Sequence, residues 1–239
     1  MSEPTPIESA FALHAAGALA EAEIAYRRIL AANPQQVEAQ HYLGVLLHQQ
    51  GDTQAGVSLI LGALEAKSAD AAGSAPRYND LGNLLAQTGD LANAATAFRS
   101  SLKLNGGDAG VWNNLGSVLH RQQDFVGAES AYRNALRIDA DFVPALNNLA
   151  TLLAEAGREE ESSLFSCQAF ILPPLAGKPQ RTLGIAYYRL GRIADAAECY
   201  RAWLRAEPDN AVARHYLAAC TGMDVPAKAP DDFVTALFD

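Results

Sequence analysis

The sequence predicts an all-α fold, a solenoid of antiparallel helix pairs stacked side by side. Three observations predict it: a pattern that repeats about every 34 residues, a turn at a fixed place in the repeat, and a bulky residue beyond that turn. The pattern begins with a leucine and a small residue, and the leucines lie 38, 34, 34 and 34 residues apart. The pairs are Leu43-Gly44, Leu81-Gly82, Leu115-Gly116, Leu149-Ala150 and Leu183-Gly184. Such a period indicates a unit that buries its apolar face against neighbouring units.

Each repeat is predicted to form two helices around a turn. The turn falls eight residues after the leucine, at a glycine in four repeats and at Gln123 in the other. Five residues further on, a small residue lets the two helices approach closely. These small residues are Gly56, Ala94, Ala128, Ser162 and Ala196. Seventeen residues after the leucine, four of the five repeats have an aromatic or aliphatic residue: Ile60, Phe98, Tyr132 and Tyr200. The remaining repeat has Ser166 at this position.

This pattern resembles the tetratricopeptide repeat (TPR), whose signature runs through a bulky residue, leucine-glycine, tyrosine, alanine, phenylalanine, alanine and proline over about 34 residues. The segment 111–139 matches this signature best. Its matching residues are Trp112, Leu115, Gly116, Ala128, Tyr132 and Ala135. A more degenerate first repeat carries Gly17, Ala22, Tyr26 and Pro34.

The resemblance implies a right-handed superhelical solenoid of about six repeats. They are expected at 3–36, 37–70, 75–108, 109–142, 143–176 and 177–210. Residues 71–74 are expected to be an insertion between the second and third repeats. Residues 211–222 are predicted to form a capping helix, and 223–239 a proline-containing linker with a short amphipathic helix.

Composition narrows the classes of function. Eighteen lysines and arginines against 27 aspartates and glutamates give a net charge of −9, so generic binding to nucleic acid or to an anionic membrane is disfavoured. The N-terminus lacks the basic-then-apolar order of a secretory signal, and no stretch reaches the roughly 18 apolar residues that span a bilayer. Three widely separated cysteines predict neither a disulfide framework nor a zinc site. A cytoplasmic protein is therefore expected.

Motifs that carry catalysis or hold a cofactor are not recognisable in the sequence. It has no nucleophile elbow, zinc-protease, phosphate-loop or dinucleotide-binding motif. The segment at 105–110 is glycine-rich but lies at a repeat junction, so it is interpreted as a turn. His41, His48 and His120 are interpreted as polar side chains of a groove, because no third metal ligand lies at a suitable spacing. Neither an enzyme activity nor a cofactor or metal is expected in these residues.

The first helix of each repeat carries a polar stripe beside its apolar one. In the fourth repeat this polar stripe holds Asn113, Ser117, His120 and Arg121. The TPR resemblance implies that such stripes line a concave groove that holds extended peptides. The groove residues predicted in this way are Asn79, Asp80, Asn83, Asn113, Asn114, Ser117, His120, Arg121, Asn147, Asn148, Thr151 and Arg181.

Asparagines recur in this stripe at the repeat period and form what we call the asparagine ladder: Asn79, Asn113 and Asn147 with their neighbours. An amide donates and accepts hydrogen bonds, so such a ladder is suited to binding the backbone of an extended peptide. The alternative is that these asparagines help to pack adjacent first helices. A full clamp for a terminal carboxylate is absent, although Lys178, Arg181 and Arg189 could favour an acidic ligand segment at one end.

The C-terminal segment supports a second hypothesis. Pro226 and Pro230 precede a predicted short helix, whose apolar residues are expected to contact another copy or another domain. They are Phe233, Val234, Leu237 and Phe238. The stretch 215–239 also resembles the junction between TPRs and a downstream S-adenosylmethionine-dependent methyltransferase domain. The expected function is a non-catalytic scaffold that binds a peptide or protein segment, and the alternative is the substrate-recruiting region of such a methyltransferase.

Overall fold

The structure, a computed structural model, describes residues 4–65 and 71–223. As predicted, these residues form helices and no strand. The thirteen helices of this part of the chain are α1 (Pro6–Ala15), α2 (Leu19–Ala32), α3 (Val37–Gln49), α4 (Thr53–Glu65), α5 (Ala71–Thr88), α6 (Leu91–Leu104), α7 (Ala109–Arg121), α8 (Phe125–Ile138), α9 (Val143–Glu155), α10 (Glu159–Ile171), α11 (Gln180–Arg189), α12 (Ile193–Ala206) and α13 (Ala211–Thr221). The predicted helix of the C-terminal segment, with Phe233, Val234, Leu237 and Phe238, lies outside the described residues.

The turn inside each pair needs a residue in the left-handed region of backbone space. Gly51, Gly89 and Gly191 adopt φ values of 97°, 86° and 73° there. Gln123, which replaces the glycine between α7 and α8, adopts φ 63°. Glycine enters this region without a steric penalty, which explains why it recurs at the predicted turn.

The leucine-glycine pair is explained by a close approach within each helix pair. A Cβ atom built on Gly82, Gly116 or Gly184 would lie 2.6, 2.6 or 2.4 Å from the nearest ring atom of the aromatic residue on the second helix. Those rings belong to Phe98, Tyr132 and Tyr200, which are fully buried. The glycine and the ring sixteen residues later are therefore one packing unit.

The chain forms two compact units, residues 1–139 and 140–239. In the first unit, α1, α3, α5 and α7 are the first helices of the pairs, and each contacts the next first helix. Each of α2, α4 and α6 packs against its own partner and against the first helix that follows. We call the first helices of each unit the first-helix face of that unit; they are α1, α3, α5 and α7 in the first unit and α9 and α11 in the second.

The proposed insertion at 71–74 does not form a separate segment. Residues 71–74 belong to α5, the first helix of the third pair, which the structure describes from Ala71 to Thr88. Pro76 lies within that helix. Because proline has no N–H, the helix lacks one backbone hydrogen bond at Pro76, and it continues beyond this residue to Thr88.

In the second unit, successive helices from α9 to α13 contact one another. Helix α11 begins at Gln180, and eight residues, 172–179, separate it from α10. The corresponding connections 33–36, 105–108 and 207–210 have four residues each. Lys178 closes the end of α10, because its Nζ atom donates to the carbonyl oxygens of Phe170 and Leu172 at 2.6 and 2.7 Å.

Candidate functional site

The predicted groove residues all lie on first helices. Helix α5 holds Asn79, Asp80 and Asn83, and α7 holds Asn113, Asn114, Ser117, His120 and Arg121. Helix α9 holds Asn147, Asn148 and Thr151, and α11 holds Arg181. The first-helix face is therefore polar in each unit. The side chains differ, however, in burial and in the bonds they make.

In the first unit, several of these side chains link neighbouring first helices. Asn114 Nδ2 donates to Asn83 Oδ1 at 3.2 Å, and His41 Nε2 lies 2.8 Å from Asp80 Oδ2. The Arg121 guanidinium donates to the carbonyl oxygen of Ala86 at 2.9 Å. These bonds fit the alternative interpretation, in which the polar residues help to pack adjacent first helices.

The remaining predicted residues of the first unit are largely enclosed. Asn113 is only 9% exposed. Asn79 is half-buried, and its Oδ1 atom is buried without a hydrogen-bond partner. Ser117 and His120 are half-buried, and the His120 ring packs edge-on against Phe125. A ligand would reach Ser117 and His120 more readily than Asn113.

In the second unit the predicted residues are open to solvent. Asn147 and Thr151 are exposed, Asn148 is half-buried and Arg181 is exposed. Asn147 and Thr151 line a cleft of about 500 Å³ between α9 and α10, to which Ser162 and Ser166 also contribute. The Thr151 hydroxyl donates to the backbone carbonyl oxygen of Asn147 at 3.0 Å, and the side chain of Asn147 is exposed.

A second cleft was missed by sequence reasoning. It has a volume of about 460 Å³ and is lined by Phe11, Leu19, Tyr42, Val45 and Asp80 among others. Phe11 is half-exposed, and its ring lies 5.0 Å from that of Tyr42. The signal in the sequence was Tyr42, an aromatic residue at the place where later repeats have Asp80, Asn114 and Asn148.

Family models for the tetratricopeptide repeat match residues 10–71, 79–142 and 178–220. The chain belongs to the tetratricopeptide repeat family. These matches agree with the alternating helix pairs and with the glycines under aromatic rings described above. The matched residues stop at 142 and resume at 178, so the pair α9 and α10 departs most from the TPR pattern.

Solved structures share the TPR fold. A structure of MamA is 21% identical, covers 71% of this chain and 94% of its own, and has a TM-score of 0.62. PilF of Pseudomonas aeruginosa is 17% identical, and the similarity covers 90% of this chain and 96% of PilF, with a TM-score of 0.63. One chain of the Cut9–Hcn1 hetero-tetramer of the APC/C is 16% identical to this chain, with a TM-score of 0.58. The similarity covers 42% of that chain. No curated protein matches the chain in sequence.

The thiols of two cysteines, on α12 and α13, have raised pKa values. Desolvation raises the pKa of the Cys199 thiol, and nearby Asp195 and Glu198 add to this; burial also raises the pKa of Cys220. Both thiols therefore stay protonated at neutral pH and are poor nucleophiles. Across 4–65 and 71–223, no group of three or more His, Cys, Asp or Glu side chains could hold a metal ion. None of the helices in these ranges is both long and apolar enough to cross a bilayer.

Proposed function

We propose that this TPR chain is a non-catalytic interaction module that binds an extended peptide or protein segment on its first-helix face. The observation that carries the proposal is the exposed pair Asn147 and Thr151, which lies beside an open cleft on α9. The TPR fold itself supports a role in protein–protein interaction. One protein of similar fold assembles with a protein partner, in the Cut9–Hcn1 hetero-tetramer of the APC/C.

Hydrogen bonding explains why exposed amides suit an extended ligand. A peptide in extended conformation presents N–H and C=O groups that need partners once water is excluded. An asparagine side chain offers a donor and an acceptor, so it pairs with the backbone whatever the ligand's side chains are. Asn147 is available for this role, whereas Asn83 and Asn114 already share one hydrogen bond.

Replacing Asn147 by alanine tests this role. We expect the affinity for a bound peptide to fall by about 1 to 3 kcal/mol, because a peptide group in the interface would lose its partner. The free energy of unfolding should change little, since the side chain is exposed. Isothermal titration calorimetry with a peptide selected on the wild-type chain measures the first quantity, and urea denaturation measures the second.

Asn134→Ala is the matched control, because it removes the same amide from α8, a second helix. Its affinity for the peptide should equal that of the wild type. Equal affinities for Asn147→Ala and the wild type would remove Asn147 from the binding mechanism. Asn113→Ala is less informative, because Asn113 is buried and its loss would also alter helix packing.

Three finer aspects of this proposal remain predictions. The first is self-association or a domain contact through Phe233, Val234, Leu237 and Phe238. The second is a cytoplasmic location, with no nucleic acid or membrane as partner. The third is the alternative function, in which these repeats recruit substrate for a methyltransferase domain; it rests on the sequence resemblance of 215–239 alone.

A further inference from the structure

On the first-helix face of the first unit, apolar side chains occupy the N-terminal end and polar ones follow. Equivalent places on α1, α3, α5 and α7 hold, in order, Phe11, Val45, Asn83 and Ser117. A second series of equivalent places, on α3, α5 and α7, holds Tyr42, Asp80 and Asn114. The first two pairs therefore present apolar surface where the later pairs present amides, a hydroxyl and a carboxylate.

These apolar side chains line the cleft of about 460 Å³ described above, which we call the Phe11 cleft. Phe11 and Ala15 line it from α1, Tyr42 and Val45 from α3, and Leu19 from the start of α2. Phe11 is 48% exposed although its side chain is large and apolar. The volume lies in the range of roughly 300 to 1,000 Å³ that is typical of ligand pockets. The cleft therefore has room for a large side chain of a partner.

Polar groups at the Phe11 cleft already bond to other groups of the protein. His14 Nε2 lies 3.0 Å from Gln49 Oε1, and Asp80 Oδ2 lies 2.8 Å from His41 Nε2. Because these groups have partners, the cleft offers a ligand chiefly apolar surface. Asp80 is also the only aspartate, glutamate, lysine or arginine among the lining residues, so its charge opposes an acidic side chain in the cleft.

The rings of the Phe11 cleft favour an aromatic occupant. The ring centroids of Phe11 and Tyr42 lie 5.0 Å apart, with an interplanar angle of 47°. The Tyr42 ring also packs against His41 at 5.0 Å and against the fully buried Tyr26 at 6.2 Å, so its position is well supported. An aromatic side chain can pack edge-on or offset against such rings, which an aliphatic side chain cannot do. Buried aromatic side chains also carry much of the binding energy of protein interfaces.

We propose that the Phe11 cleft binds one aromatic side chain, phenylalanine, tyrosine or tryptophan, of a segment of a partner protein. Residues 1–139 contain nine lysines and arginines against 14 aspartates and glutamates, so a neutral or basic segment fits this unit better than an acidic one. The inference rests on the proposed function, since it names a side chain of the segment that the first-helix face binds.

A variant that fills the Phe11 cleft provides the central comparison. Ala15→Phe adds a ring at a lining position, and Ala15 is exposed at the end of α1, so the fold should be retained. Ala12→Phe is the matched control, because it adds the same ring at an exposed place on α1 that does not line the cleft. Both variants should keep the circular dichroism spectrum of the wild type.

Phage display of random dodecapeptides on the full chain and on both variants tests the proposal. We expect the peptides enriched on the wild type and on Ala12→Phe to carry an aromatic residue, and we expect Ala15→Phe to lose these peptides. The same enriched peptides on all three chains, or enrichment of acidic peptides without an aromatic residue, would overturn the proposal. Enrichment of no peptide above a protein-free control would reject the proposed function itself.

Fluorescence polarisation with a synthetic peptide from the wild-type selection measures the contribution of the aromatic residue. Its replacement by alanine should weaken binding at least about ten-fold, and its replacement by leucine about two- to ten-fold. Phe11→Ala should weaken binding of the aromatic peptide and leave that of the alanine peptide unchanged, because both changes remove the same contact. Equal affinities for the aromatic and leucine peptides would contradict the preference for an aromatic side chain.

Equal affinities of the wild type, Phe11→Ala and Ala15→Phe for the aromatic peptide would show that the Phe11 cleft is not the binding place. The proposed function would survive that result, because the peptide would still be bound elsewhere on the chain.

Sedimentation velocity distinguishes a partner protein from a second copy of this chain. The wild type and Ala15→Phe should sediment alike at the same concentration. A wild-type dimer that Ala15→Phe dissociates would assign the Phe11 cleft to another copy and would overturn the proposal.

Discussion

Replacing Leu115 by alanine should lower the free energy of unfolding by roughly 2 to 5 kcal/mol. Leu115 is only 4% exposed and belongs to α7, which packs against both α6 and α8. The substitution removes buried methyl groups and leaves a cavity that the surrounding helices refill only in part. Repeat proteins derive much of their stability from contacts between neighbouring units, so a central pair is a sensitive place. Urea denaturation followed by circular dichroism measures the loss.

Val126→Ala is the control for this experiment. Val126 lies on α8 and is 84% exposed, so its truncation should change the free energy of unfolding by no more than about 0.5 kcal/mol. Similar unfolding midpoints for Leu115→Ala and Val126→Ala would show that the buried and exposed faces of these helices are assigned wrongly.

Replacing Gly116 by alanine should lower the free energy of unfolding by about 1 to 3 kcal/mol, although alanine is the better helix former. The new Cβ atom would lie 2.6 Å from two ring carbons of Tyr132. Tyr132 is 1% exposed, so its ring has no open space into which it can move. The helices would have to separate, which costs contacts along the whole pair.

Gly62→Ala makes the same chemical change where there is room for it. The nearest atoms to a Cβ atom on Gly62 belong to the Gln40 side chain, at 3.9 Å. Gly62 lies inside α4, so alanine should stabilise the protein there by about 0.5 to 1 kcal/mol. The two substitutions should therefore shift the urea midpoint in opposite directions. A stabilising Gly116→Ala would contradict the close packing of glycine and ring.

The repeat pattern predicted most of the helix pairs because its residues have local physical reasons. The turn glycines adopt left-handed backbone angles, and the glycine after the leucine makes room for a ring on the same pair. The repeat pattern did not predict that residues 71–74 belong to α5, because the alignment of repeats treated them as an insertion. Periodicity places equivalent residues and does not show how far a helix extends beyond them.

The candidate site was harder to predict. The sequence placed Asn83 and Asn114 on first helices, but their mutual hydrogen bond depends on how closely α5 and α7 approach. The sequence showed that Ser166 departs from the aromatic or aliphatic residues of the other repeats, but the cleft that it lines with Ala150 and Asn147 depends on how α9 and α10 pack. Such features arise from several segments together, and no single repeat contains them.

Site-specific photo-cross-linking tests the central claim, binding on the first-helix face, most directly. The photoreactive amino acid p-benzoylphenylalanine would replace Thr151, exposed on α9, or in a separate variant Val126, exposed on α8. A peptide selected on the wild-type chain should cross-link to position 151 and not to position 126, and unlabelled peptide should compete. Cross-linking at position 126 with none at position 151 would contradict the account and move binding to the second helices.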